Sequence, residues 1–329
     1  MKQILKLTVM AFALAAHTTV FAQDYKLVWS DEFNENTLGA NWNVIQNEAP
    51  YNNELQAYTK QNVTIENGNL VLTARREEKG AKQFTSGRID SHTKVSFTHG
   101  RLEARIKMPH LANGLWPAFW LMGEELGEAA WPKCGEIDIM EAGNSEAIKN
   151  GKLESTVAGA IHYGESIGTH KQYTAGNYTA KYDVTGDYHT FTMEWDDENL
   201  RFFLDDEKEP YFEKAVKKGF SIGNYFHHPY YIIFNLAVGG DYTGITSPDA
   251  ITALPNMGDE AKMYVDYIRL YQKVGSEDFT TSIARPTINS TVSTPCHKKG
   301  CYSLLGEAVN PDAMHHGIYI IDGEKHLVR

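Results

Sequence analysis

The chain has 329 residues, a net charge of −11, 42% hydrophobic residues and 12% aromatic residues. That length suits one large domain with a sizeable core, and a negative surface repels polyanions at low salt, which argues against a nucleic-acid partner. Beyond the first residues no stretch is apolar for long enough to cross a bilayer.

Residues 1–22 read as a secretory signal peptide. Lys2 and Lys6 precede an apolar run from Leu7 to Ala16, and Val20-Phe21-Ala22 places small residues before a cleavage site. His17, Thr18 and Thr19 break the run too early for a membrane helix. No cysteine follows it to take a lipid anchor, and cleavage removes both lysines, leaving the mature chain still more acidic.

From residue 24 the pattern changes to short alternating runs separated by Gly, Asn and Asp clusters. Asn69 to Arg75, Gly100 to Lys107, Thr190 to Trp195, Arg201 to Leu204 and Tyr230 to Leu236 are examples. Many short strands with turn punctuation predict an all-β sandwich.

The most informative run is Glu136-Ile-Asp138-Ile-Met140-Glu141, just after the turn Trp131-Pro-Lys-Cys134-Gly. Alternation through Ile139 predicts a strand with Glu136 and Asp138 on one face and Ile137 and Ile139 on the other. A regular strand would send Glu141 to the apolar face. A β-bulge near Met140 would return it to the acidic face, and bulges are frequent beside active sites. Trp116, Trp120 and Trp131 stand nearby, and acids beside indoles suggest a sugar site. At least one of these indoles is expected to be structural and the others to stack on pyranose rings.

Two carboxyls can cleave a glycosidic bond when one attacks the sugar and the other serves as acid and then base, roughly 5–5.5 Å apart in retaining enzymes. In that scheme neighbouring anions help Glu141 keep its proton, and a partly protonated Asp138 orients Glu136. The three carboxyls should titrate as a coupled set.

The C-terminal part differs in character. Residues 274–294 are rich in Ser and Thr and read as a linker. In 295–329, Tyr302 to Gly306 and Gly317 to Arg329 look like short strands, the latter split by an Asp322-Gly323 hairpin turn. Cys296 and Cys301 suit a small disulfide loop in an exported chain, with a metal pair formed by Cys296 and His297 as the weaker alternative. Cys134 reads as a packed, buried thiol, since no Cys-His arrangement accompanies it.

The acid run, with Trp29-Ser-Asp-Glu-Phe33, Asn52-Asn-Glu-Leu-Gln-Ala-Tyr-Thr59, Ser86-Gly-Arg88, Gly114-Leu-Trp-Pro-Ala-Phe-Trp120, Asn235-Leu-Ala-Val-Gly-Gly240 and Val265-Asp-Tyr-Ile-Arg-Leu-Tyr271, resembles glycoside hydrolase family 16 in its bulged, laminarinase-like branch, over residues 24–273. In the lichenase branch the second glutamate comes four positions after the first. The resemblance implies a β-jelly-roll of two antiparallel sheets with a concave cleft, and a retaining endo-β-1,3(4)-glucanase with Glu136 as nucleophile, Glu141 as acid and base and Asp138 steadying the nucleophile.

By the same resemblance Asn52, Glu54, Arg88, His162 and Asn235 join the indoles as sugar-binding residues; the lesser alternative for Glu54 is a loop acid, Arg88 and Asn235 can equally satisfy turn backbone, and His162 can be a sheet histidine. Glu32, Gly68 and Asp266 match a structural Ca²⁺ site, and no cofactor is needed for catalysis. The 295–329 segment resembles the sorting or anchoring endings of exported Bacteroidota proteins, in a shortened form. The expected partner is a β-glucan, acted on by a monomer in the periplasm, on the cell surface or outside the cell. Rival readings are an agarase- or carrageenase-like galactanase, a transglycosylase and a silent glucan-binding lectin. The acidic balance disfavours sulfated chains, and the complete acid set disfavours the lectin.

Overall fold

In the computed structural model the residues described are 25–127, 129–275 and 278–281, together with the strands Cys301–Ser303, Gly317–Ile321 and Glu324–Val328. Two sheets, antiparallel apart from the pairing of Gln56–Tyr58 with Phe84–Ser86, make a jelly-roll sandwich. The back sheet runs in space Phe212–Ala215, Asn199–Leu204, Tyr188–Trp195, Gly100–Lys107, Glu260–Lys273, Asn69–Arg75, Phe84–Ser86 and Gln56–Tyr58. The other sheet runs Lys171–Thr179, Thr156–Tyr163, Glu136–Glu141, Leu115–Gly123, Tyr230–Val238, Arg88–Asp90 and Asn43–Val44.

Alternation in sequence becomes alternation in burial. Asn199–Leu204 buries Leu200, Phe202 and Leu204 and leaves the residues between them partly exposed, as a half-wetted antiparallel strand should. Leu102, Ala104 and Ile106 of the back sheet and Phe119, Leu121, Ile137 and Ile161 of the other enter one core. Tyr230–Val238 breaks the alternation and is buried throughout. Its inner residues face that core, where Phe234 stacks on its cross-strand partner Phe119 at 4.8 Å. Its outer face is covered by side chains of the candidate site. Each fully buried Leu or Phe contributes about 1.5–3 kcal/mol of hydrophobic stabilisation.

The linker reading of 274–294 needs correction at its start. Phe279–Thr281 forms a strand paired with Val95–Phe97, placing Phe279 opposite Phe97, so an apolar side chain inside a polar-looking segment found a sheet edge. In the C-terminal unit, Cys301–Ser303 pairs with Gly317–Ile321, which pairs with Glu324–Val328 in the register Ile321↔Glu324 that the Asp322-Gly323 turn signal requires. The first of these strands begins one residue before the predicted Tyr302. Residues 1–22, the linker from 282 to 294, and Cys296 with the Cys301 side chain lie outside the described residues. No helix among the described residues is long and apolar enough to cross a membrane.

Candidate active site

The acid strand carries the predicted irregularity. Against Leu115–Gly123, Trp120 pairs with Asp138 but Phe119 pairs with Met140, and against Thr156–Tyr163, Asp138 pairs with Ala160 while Glu141 pairs with Ala158. Three steps on the acid strand thus match two on the second neighbour, which is a β-bulge at Ile139–Met140. Ile137, Ile139 and Met140 are all fully buried in the core, so the bulge absorbs two consecutive inward residues and leaves Glu141 on the outward face with Glu136 and Asp138. The Ile139 carbonyl is bonded by the Tyr211 hydroxyl, which satisfies a backbone acceptor at the irregularity.

Each indole singled out in the sequence holds a polar group of this face. Trp131 Nε1 donates to Glu136 Oε2 at 2.8 Å, Trp116 Nε1 to Glu141 Oε1 at 2.9 Å and Trp120 Nε1 to Asn235 Oδ1 at 2.7 Å. All three are partly exposed, and Trp120 and Trp131 also pack against the buried Met122, Cys134, Tyr231 and Ile233; the wholly buried indoles of the sandwich are Trp42 and Trp195. Trp116 stacks on Tyr242 at 4.8 Å and 15°, and the Arg88 guanidinium lies over the Trp120 ring at 4.9 Å. These contacts fix the ring orientations.

The carboxyls are crowded and poorly solvated. Burial pushes Glu136 up to about 8, the Asp138 charge adding to the rise while His162 and the Trp131 hydrogen bond oppose it. Burial pushes Glu141 up to about 7, opposed by the Trp116 hydrogen bond and raised further by Glu136. Burial, and then the Glu141 charge, hold Asp138 well above the usual carboxylate range. Its Oδ2 has no hydrogen-bond partner and lies 3.3 Å from His162 Nε2. Carboxyls this close do not all ionise together near neutral pH.

A stability prediction follows from the sign of these shifts. The native values of Glu136 and Glu141 lie above the ordinary 4.5, so the folded state binds more protons than the unfolded one between those limits. Their contribution to stability is therefore complete below about pH 4.5 and is lost as pH rises through about 7 to 8. Glu136→Gln and Glu141→Gln remove that loss. At about pH 9 each variant should melt several degrees above wild type, an advantage that vanishes near pH 4. Melting curves at the two pH values check this, and a Gln variant less stable than wild type at pH 9 contradicts it.

The other sequence candidates divide. His162, opposite Glu136 in register, reaches toward Glu136 Oε1 at 3.9 Å and holds His170 Nε2 at 2.8 Å through its Nδ1. Asn235 is buried beside Arg88 and Trp120. Asn52 is exposed at φ 59°, and its carbonyl accepts from Asp241 N at 2.8 Å. Its loop abuts the site at Gly240, where an added Cβ would meet the Asn52 carbonyl at 2.9 Å and the Trp116 ring at 3.4 Å. Glu54 is 7% exposed, and its Oε2 accepts from Gln56 Nε2 at 2.5 Å and Tyr58 Oη at 2.9 Å, so this acid is anchored by its own segment next to the Asn52 loop. The sequence reading missed His170, Tyr242 and Tyr211. His170 joins the site only through the hairpin following His162, and no local motif announces Tyr211.

The calcium set does not fit as carboxylate ligands. Both Glu32 oxygens receive Arg269, at 2.9 and 2.7 Å, and Asp266 Oδ2 receives Arg105 at 2.6 Å. Each acid is paired with its own guanidinium, and Gly68 has only a carbonyl to offer, so a hard cation seeking several oxygens would compete with two arginines for these side chains. Cys134 is buried, and burial pushes its thiol up to about 11, an unreactive state.

Comparison with known proteins agrees with this geometry. A family model described as the GH16 domain of β-porphyranases A–D matches residues 26–273. A GH16 structure from the mixed-linkage-glucan PUL of Bacteroides ovatus, in complex with a G4G4G3G product, is 37% identical, covers 74% of this chain and 100% of its own, and superposes with a TM-score of 0.67. The glucan endo-1,3-β-glucosidase of Cryptopygus antarcticus is 34% identical over 250 residues, covering 71% of this chain and 86% of its own. The clotting factor G α subunit of Tachypleus tridentatus is 33% identical over 251 residues, 75% of this chain. The chain spans little more than a third of the length of that relative and of one other, 34% and 38%.

Proposed function

Because the chain belongs to glycoside hydrolase family 16, we propose that it is an exported endo-β-glucanase that cuts β-1,3 or mixed β-1,3/1,4 glucans with retention of configuration. The observation that carries this reading is the bulge at Ile139–Met140, which sets Glu136 and Glu141 on one face, each held by its own indole. With Oε2 fixed by Trp131, Glu136 Oε1 attacks the anomeric carbon. With Oε1 fixed by Trp116, Glu141 Oε2 carries the proton given to the leaving oxygen. The glycosyl–enzyme ester is then opened by water, whose proton returns to Glu141, and the second displacement restores the configuration. Glu136, pushed up to about 8 by burial, attacks as the anion once the proton it shares with Asp138 rests on Asp138. Trp116, Trp120 and Trp131 supply flat apolar faces to the polymer, with Asn235, Arg88 and Asn52 as polar partners.

The glucan choice is supported by relatives named for that activity and by the net charge of −11, which disfavours sulfated chains. A second reading, a galactanase, is favoured by the description of the matching family model. Export rests on the leader-like residues 1–22, with 295–329 as a sorting or anchoring segment, and the enzyme acts as a monomer.

Side-by-side digestion of laminarin, lichenan, barley β-glucan, agarose and porphyran tests both readings. New reducing ends are expected from the glucans, with the β-anomer first in the NMR spectrum of the products. Cleavage confined to the galactans overturns the glucan assignment, a first-formed α-anomer overturns retention, and polymer retention without new ends identifies a binding protein.

A further inference from the structure

His99, Asp197 and His227 come together from three separate connections, with one donor atom of each within 4.8 Å of the others. His99 lies in the turn between strands Val95–Phe97 and Gly100–Lys107, Asp197 in the hairpin turn between Tyr188–Trp195 and Asn199–Leu204, and His227 just before Tyr230–Val238. We propose that these residues form a binding site for a divalent transition-metal ion of the zinc class, joining connections that belong to both sheets.

The two imidazoles are held as ligands should be. His227 Nε2 faces the Val216 carbonyl at 2.7 Å, which fixes the proton on that nitrogen and aims the Nδ1 lone pair at His99 Nε2, 2.8 Å away. A metal-bound histidine is usually oriented by such a bond from its other nitrogen. His99 sits at φ 59°, a backbone state uncommon for non-glycine residues. It is kept there by Gln272 Nε2, which donates to the Thr98 and His99 carbonyls at 3.1 and 2.9 Å, and by the Trp195 ring edge at 5.0 Å. Two nitrogens bound to one tetrahedral zinc, each at about 2.0–2.1 Å, stand roughly 3.3 Å apart, so binding opens the pair by about half an ångström, moves the His99 proton from Nε2 to Nδ1 and turns both lone pairs toward the shared ion.

Asp197 Oδ1 lies 3.8 Å from His99 Nδ1, the ring nitrogen opposite the one that faces His227, so its 75% exposed side chain completes the set by swinging toward the two facing nitrogens. His99 and Asp197 border a surface cavity of about 430 Å³ with room for the waters that complete the coordination. Lys218 Nζ, 4.0 Å from Asp197 Oδ1, competes for the carboxylate. Two nitrogens and one oxygen select zinc, cobalt or nickel over calcium or magnesium.

The test uses the full chain, stripped with a chelator and titrated with Zn²⁺ by calorimetry and with Co²⁺ by visible absorption. One equivalent should bind, giving tetrahedral Co²⁺ bands, and Zn²⁺ should raise the melting temperature while polysaccharide hydrolysis stays unchanged. His227→Ala and Asp197→Ala should each weaken binding at least about tenfold and abolish the melting shift; Asp197 is exposed, so its variant remains a test if His227→Ala fails to fold. Glu136, Asp138 and His162 form a second three-donor group, and His162→Ala reports on it. The proposal is overturned if wild type binds no Zn²⁺, or if binding survives both the His227 and Asp197 changes, or if it is lost only in the His162 variant.

Discussion

Replacing Glu136 with Gln is expected to lower glucan hydrolysis by about 10⁴-fold or more, while polymer binding stays within a few-fold of wild type. The amide keeps the shape of the side chain and still accepts from Trp131 Nε1, a bond now 2.8 Å long, but it cannot form the glycosyl ester. Glu141→Gln should cost about 10²–10⁴ on polysaccharide, the usual worth of a general acid–base group, and the two losses should differ in kind. An aryl glucoside with a good leaving group needs no protonation to depart, so Glu141→Gln should release a burst of phenol and then stall at the ester. Glu136→Gln should release none. Rapid-quench kinetics on both variants separates the roles. A Glu136→Gln enzyme with more than a tenth of wild-type turnover removes this residue as nucleophile, and absence of a burst in Glu141→Gln removes the division of labour.

Much of this site was readable before any coordinates, because its signals are local. The alternation of Glu136, Asp138 and the isoleucines between them specifies a strand with two chemically different faces, and the odd spacing of Glu141 specifies an irregularity that the register places at Ile139–Met140. What the sequence did not disclose depends on who meets whom across the sheets. Glu54 reads as a loop acid facing substrate, yet Gln56 and Tyr58 of the same segment turn back to occupy its Oε2. Glu32 and Asp266 match a cation set in spacing, while the arginines that pair with them, Arg269 and Arg105, sit on strands paired alongside. His99, Asp197 and His227 share no motif, because three connections bring them together only after both sheets have formed.

The bulge makes the second strong prediction, since strand register decides on which face Glu141 stands. Inserting one alanine between Met140 and Glu141 shifts every later side chain of the strand by one position. The Glu141 carboxyl then turns toward the core occupied by Ile137, Ile139 and Met140, losing its Trp116 donor, and hydrolysis should fall by about the 10²–10⁴ expected for losing the general acid, with a marked loss of stability from a buried, unpaired carboxyl. Deleting Ile139 has the opposite geometric result. Glu136, Asp138 and Glu141 then occupy alternate positions of a regular strand, Met140 alone fills the inward slot, and all three carboxyls stay on the outward face. The deletion also gives up a buried isoleucine and the Ile139 carbonyl bonded by Tyr211, so the variant should be destabilised by about 2–5 kcal/mol yet keep measurable turnover. Chemical denaturation and initial rates on the pair decide the matter. An insertion variant as active as wild type, or a folded deletion variant as inactive as the insertion, would show that the outward placement of Glu141 does not depend on the extra residue.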